Sequence, residues 1–331
     1  MNPGRRAFLG RALVAGTASA LYGCTDARRW EREAVRQTPR SRVAILPAST
    51  YDESLVDVVL RGLQLFRLPL VGKRVVLKPN LVEHDPNGLV NTHPALVAAA
   101  IEAFRRVGAQ QVIVAEGPGH YRDTEDLLTA TGLHAILREH RTRYVDLNND
   151  DVRAVRMGSH YTTLQRLYLP ETLLDADLLV SMPKLKTHHW AGVTLALKNM
   201  FGCIPGAIYG WPKNVLHWAG IHESIVDINS TLQIPRFAIV DAIVGMEGNG
   251  PIQGEARRCG ALVFGDDLVA VDATAARLMT VDPRRIRYLA EAGRFLGNVA
   301  EERVEQIGDT IDRLRQDFRV LPQFQPLKSF A

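Results

Sequence analysis

The chain has 331 residues, 46% hydrophobic and 23% charged, with a formal net charge of +4. That is ordinary globular composition, enough for one large or two modest domains. The basic surplus lies in Arg5, Arg6, Arg11, Arg28, Arg29, Arg32, Arg36, Arg40 and Arg42, up to the start of the first strand, so it argues for a membrane-proximal leader and against a nucleic-acid partner.

Arg5-Arg6-Ala7-Phe8-Leu9-Gly10 resembles the twin-arginine export motif, and Leu21-Tyr22-Gly23-Cys24 resembles a lipoprotein processing box. Between them runs an apolar stretch too short for a comfortable membrane span. Residues 1–24 are therefore expected to be an export signal with a lipobox-like end, and 25–42 a polar tether. The resemblance implies the twin-arginine export machinery as a partner. It also implies a lipid-anchored protein on the periplasmic or outer face of a bacterial envelope, with any cofactor inserted before export. With Cys24 lipidated, only Cys203 and Cys259 remain. Two thiols cannot supply a four-thiolate zinc or iron–sulfur site. They suit two buried small side chains, one disulfide, or a lone Cys203 ligand.

In chain order, Arg42 to Pro47 reads as a strand, Asp52 to Phe66 as an amphipathic helix and Lys73 to Asn80 as a strand ending in polar groups. Asn91 or Thr92 would cap a helix from Pro94 to Val107. Gln111 to Glu116 is a third strand, leading into a glycine loop that carries His120, and Asp123 or Thr124 opens the next helix. Tyr144 to Leu147 and Arg166 to Leu169 are short strands of uncertain partnership. Leu178 to Val180 is a buried strand ended by Pro183, followed by a basic loop with Lys184, Lys186, His188 and His189. Val193 to Met200 reads as a helix bearing Lys198 and Asn199, and His222 to Leu232 as another. Arg236 to Val244 is a strand delivering Asp241 to a glycine-rich loop through Pro251. Ala261 to Phe264 is a strand, Asp267 caps a helix to Met279, and Pro283 to Ala292 is a last helix. The tail from Gln316 should drape over the surface. This rhythm predicts an α/β fold of two lobes with mainly parallel sheets, 43–165 and 166–331, and a cleft between them.

Ligands of such sheets bind beyond the carboxyl ends of strands. The candidate site there comprises His120 and His188 as acid–base groups. Lys198, Asn199, Lys184, Lys186, Lys78 and Asn80 are the groups for an anionic ligand or cofactor. His217, His189 and Asp241 are metal candidates from separate loops. His120, His188, Lys198 and His217 should line one pocket, with Lys78, Asn80, Lys184 and Lys186 near its rim.

Val76-Leu-Lys-Pro-Asn-Leu-Val82, Val114-Ala-Glu-Gly-Pro-Gly119, Ser181-Met-Pro-Lys-Leu-Lys-Thr-His188, Leu195-Ala-Leu-Lys-Asn199, Asp241-Ala-Ile-Val-Gly-Met-Glu-Gly248 and Phe264-Gly-Asp-Asp267 together resemble the domain of unknown function 362 family. A fainter resemblance is to the nickel-pincer lactate racemase family. It rests on the spacing of His188, Gly192 and Lys198, on Pro205-Gly206, and on Gly119-His120-Tyr121-Arg122. Leu195-Ala196-Leu197 and Thr92-His93-Pro94 depart from that family's pattern. This second resemblance implies an isomerase or redox-type enzyme with a metal-bearing cofactor held by Lys198 and ligated by His217, and with His120 and His188 flanking a small anionic substrate. A non-catalytic lipoprotein that captures a small anion or metal uses the same residues without turnover.

Overall fold

The computed structural model describes residues 28–51, 54–119 and 123–328. The export signal with Cys24, and His120, lie outside the described residues. Among the described residues there are twelve strands: β1 (Ser41–Pro47), β2 (Arg74–Pro79), β3 (Gln111–Glu116), β4 (Tyr144–Asp146), β5 (Val152–Arg156), β6 (Arg166–Pro170), β7 (Leu178–Met182), β8 (Lys184–His188), β9 (Gly192–Thr194), β10 (Arg236–Asn249), β11 (Gln253–Gly265) and β12 (Val304–Gly308). Ten of them form one sheet in the order β12-β1-β11-β10-β7-β2-β3-β4, with β8 beside β10 and β9 beside β8. Most pairings are parallel; β1–β11, β10–β11 and β8–β9 are antiparallel.

The α/β class is as read from the sequence, but the two-lobe division is corrected by the sheet. β2 pairs with β7 along Val75–Pro79, so the proposed halves share one continuous sheet. The chain moves outward from β2 to β3 and β4, then returns to β7 on the other flank of β2. Strand order thus reverses between β2 and β7, the position where open α/β sheets form a ligand crevice at the carboxyl edge.

Helices cover both faces. Strand residues alternate between them: Val75 and Leu77 join one buried cluster, Val76 the other. On the first face lie α1 (Leu55–Phe66) and α2 (Pro94–Arg106), burying Val59, Leu63, Leu96 and Phe104. The second face holds α3 (Ala196–Asn199), α4 (Asn214–Trp218), α5 (Ile221–Thr231) and α6 (Leu268–Leu278). Asp267 caps α6 as expected, accepting from Val269 N and Ala270 N. For α2 the cap is His93, whose Nδ1 accepts from Ala95 N, because Thr92 and Asn91 are engaged with Met182 O and Val82 N. Gly62 lets α1 sit close to β11: a Cβ there would lie 2.5 Å from the Phe264 ring. Gly62→Ala is therefore expected to lose about 1–3 kcal/mol of stability in urea unfolding despite alanine's better helix propensity. A stabilised variant would show that the helix can shift.

Three expectations are overturned. Residues 28–41 are not a free tether: Trp30 stacks on Phe295 at 4.6 Å and Ala34 is fully buried. Lys184–His188 is a buried strand and not a loop, and Val193 and Thr194 belong to β9, so the helix begins only at Ala196. The segment after Val244 continues as strand to Asn249, hairpinning into β11. The tail also packs, with Phe318 buried and Arg319 bonded to Glu247. Cys203 and Cys259 are both free and buried.

Candidate functional site

The floor of the site is built where β2, β3 and β7 end. Lys78 is wholly buried, and its Nζ donates to Glu116 Oε2 and, at 3.2 Å, to Asn199 Oδ1. Asn199 Nδ2 returns two bonds, to Lys78 O and Ser181 Oγ, both 3.1 Å. Together these bonds fasten the α3 turn, and with it Lys198, to the strand ends. Asp272 of α6 fastens the other end of that turn, accepting from Ala196 N at 2.7 Å and Leu197 N at 3.0 Å. Burial pushes the Glu116 carboxyl up, while Lys78 and Lys213 pull it back. Gly202 is required here, since a Cβ would fall 1.7 Å from Glu116 Oε1.

Above this floor lies a cavity of about 200 Å³. It falls below the ~300–1,000 Å³ typical of drug-sized ligand pockets. Asn80, Lys186, His188, His189, Lys198, Asn199 and His217 all line it, as does Gly119, the neighbour of His120. Lys78 stands behind Glu116. Lys184 and Asp241 are elsewhere: they form a fully buried pair at 3.0 Å, completed by Tyr51, whose hydroxyl donates to Asp241 Oδ1 at 2.7 Å. Their partners are protein groups, so the roles of ligand holder for Lys184 and metal ligand for Asp241 are corrected. Among the described residues, no three His, Cys, Asp or Glu side chains gather as a metal-ligand set.

The cationic groups are held at reduced basicity. Burial, then Lys198 and Lys184, lowers Lys186 well below a normal lysine, although its Nζ donates to Val90 O at 2.7 Å. Lys198, over the Phe201 ring at 4.2 Å, is lowered to about 8 by burial and then by Lys78. Lys213, bonded to Asn148 Oδ1, is likewise lowered to about 8 by burial. Acylation of Lys198 is therefore expected to reach half its maximal rate near pH 8. A normal lysine does so near ~10.4. Peptide mass mapping of a pH series reads this, and a normal profile at Lys198 would contradict the desolvated setting.

The two histidines have opposite tautomers. His188 Nδ1 accepts from Trp190 N at 3.1 Å and Ala191 N at 3.2 Å, inside the tight turn that Gly192 closes at φ +82°. Both partners are donors, so the proton of the neutral ring sits on Nε2. Burial first, then Lys198, lowers the ring well below a normal histidine and keeps it neutral. His217 Nδ1 faces the Lys213 carbonyl at 3.1 Å. A carbonyl only accepts, so Nδ1 carries the proton and Nε2 is the basic nitrogen. Trp190 stands edge-on to both His189 and His217, at 4.7 and 5.4 Å. Two buried wall atoms, Asn80 Oδ1 and Thr194 Oγ1, have no hydrogen-bond partner.

Sequence reasoning passed over Glu116, Lys213 and Thr194. Glu116 stood in view at the end of a strand beside a glycine pair. Lys213 lies in an irregular segment with a left-handed backbone (φ +68°), which no periodicity marks.

The chain belongs to the DUF362 family, a domain of unknown function, whose pattern matches residues 75–277. It is 27% identical over 266 residues to the thylakoid-associated protein sll1697 of Synechocystis sp., covering 76% of this chain and 79% of that one. Among solved structures it is similar to the lactate racemase apoprotein of Thermoanaerobacterium thermosaccharolyticum (TM-score 0.44, 13% identity, 75% of this chain and 58% of that one). It is also similar to a structural-genomics protein of Thermotoga maritima (TM-score 0.40, 12% identity, 70% and 60%). The chain spans less than two thirds of the length of either solved structure.

Proposed function

We propose that the protein is an enzyme that moves a proton on a small anionic compound, in the manner of a racemase or epimerase. The observation that carries this reading is the tautomer pair: two rings that line one cavity have opposite assignments, with the proton on Nε2 at His188 and on Nδ1 at His217. Such a pair combines a base that removes a proton with an N–H that hydrogen-bonds the charge developing on the compound. Lys198 supplies positive potential for the anion, and the Lys186 amine an N–H donor. The unpartnered Asn80 Oδ1 and Thr194 Oγ1 supply polar contacts that orient it.

A bare metal ion does not suit the described donor set. An organic cofactor that brings its own metal is a separate reading, in which His217 Nε2 would ligate the metal and the Lys198 amine would hold the group, leaving His217 no role as the base. Such a group would supply a Lewis acid at the pocket. Metal analysis and intact mass of protein from its native host read this directly; metal-free protein with unmodified Lys198 removes it.

The test of turnover is exchange of carbon-bound hydrogen in deuterated water, followed by NMR over short-chain carboxylates. Exchange lost in His217→Gln supports the enzyme. Binding that needs Lys186 without exchange of any compound would favour a non-catalytic anion-binding protein. The reading also keeps the exported, lipid-anchored location. Among the described residues no helix is long and apolar enough to cross a membrane. Cys24→Ala is expected to move the protein from the detergent phase to the aqueous phase on Triton X-114 partitioning; unchanged partitioning would reject the lipid anchor.

A further inference from the structure

A second cleft, of about 420 Å³, opens where β1 and β10 begin and β11 ends. Arg36, Arg40, Arg42 and Arg236 line it, together with the first turn of α6. Arg236 is only 9% exposed, and its one side-chain bond among the described residues is from Nη1 to Asn229 Oδ1 at 2.8 Å. Arg36 donates to Leu232 O and to Gln233 Oε1, both uncharged. Arg40 has no partner among the described residues. Arg42 is turned away, to Leu65 O and to Glu305 at 3.7 Å.

The carboxylates of the cleft offset these cations only in part: Asp267 favours the Arg236 charge from a distance, and no carboxylate pairs with Arg36, Arg40 or Arg236 directly among the described residues. Asp267 is consumed by Val269 N, Ala270 N, Asn298 N and Ser41 Oγ, and Asp266 stands exposed at the rim. A nine-tenths buried guanidinium without a carboxylate partner is costly unless an anion completes it. Arginine forks match the tetrahedral oxygens of phosphate, and the α6 dipole adds to the same potential.

We propose that Arg36, Arg40 and Arg236 form a binding site for a phosphate-type dianion, separate from the histidine-lined cavity. The dianion is a free phosphate or the headgroup of an acidic lipid, and both offer the same oxygens. A phosphate matches the donors: three guanidinium groups face the cleft, Asp266 and Asp267 offset part of their charge, and the remaining N–H groups suit an anion with several acceptor oxygens.

The full chain is titrated with inorganic phosphate at physiological salt and followed by calorimetry and melting temperature. Saturable binding is expected. Arg40→Gln, at an exposed position, and Arg36→Gln, at a half-buried one, should each weaken it about tenfold, the scale of one lost charge-assisted hydrogen bond. Lys186→Met should leave it unchanged. Arg236→Gln tests the buried member, and Arg40→Gln carries the test if that variant does not fold. Phosphatidylcholine vesicles with and without phosphatidic acid separate the sources. Capture by the acidic vesicles that phosphate competes away assigns the headgroup, and phosphate binding without capture assigns the free anion. Absence of saturation overturns the proposal, as does loss in Lys186→Met with the arginine variants unaffected.

Discussion

Lys78→Met is expected to cost about 3–5 kcal/mol of folding stability, the usual penalty for removing one partner of a buried ion pair. Lys78 is fully buried and Glu116 is 2% exposed, so no water replaces the missing ammonium. The same change frees Asn199 Oδ1 and loosens the turn that carries Lys198. The loss should depend on pH. Without Lys78, the folded-state carboxyl of Glu116 is pushed further above its unfolded value of about 4.3. Below that value both states are protonated and the penalty is absent; it grows as pH rises, because the unfolded chain gains an ionised carboxylate that the folded one resists. Urea midpoints at acid and neutral pH should therefore converge on acidification. A loss under about 1 kcal/mol, or one flat with pH, would mean that the pair is solvated. Pairing Lys78→Met with Glu116→Leu should recover much of the loss, since two matched apolar groups leave no orphan charge.

The regular elements were legible in the sequence where one physical pattern dominates. The strand Gln111–Glu116 and the helix capped by Asp267 came out nearly to the residue, because alternation and capping are local. The Lys184–Thr194 hairpin was not legible. Its polar side chains look like a solvated loop, and only distant partners bury them: Asp241 for Lys184, the Val90 carbonyl for Lys186. The glycines after Val244 read as flexibility but serve close packing. A Cβ at Gly245 would lie 2.7 Å from Leu185 O, and one at Gly250 would lie 2.1 Å from Thr187 O. The lobes failed for a similar reason, since β2 meets β7 across a hundred residues of chain. At the site, His188, Lys198 and His217 line one cavity, but the roles given to them rest on geometry. Nothing in the order of residues says that His188 Nδ1 is taken by two backbone amides or that His217 faces a carbonyl.

His217→Gln is expected to lower turnover by about 10²–10⁴, the contribution of a positioned general base. Substrate affinity should stay within a few-fold, because the ring makes no charge that the anion needs. His188→Gln is expected to be much milder, within about tenfold, for a reason specific to its tautomer. The neutral His188 ring offers an Nε2–H donor, and a glutamine amide places an N–H donor at nearly the same reach. No amide can accept a proton as His217 Nε2 does. The asymmetry separates these roles from a shared acid–base pair, in which each ring ionises in turn and either replacement is equally damaging. His188, held neutral by burial and by Lys198, should add no limb to the pH–rate profile near neutrality. Two equal losses, or a greater loss at His188, would reverse the assignment. An intact rate in His217→Gln would remove the proton-transfer reading and leave the cavity as a site for binding alone.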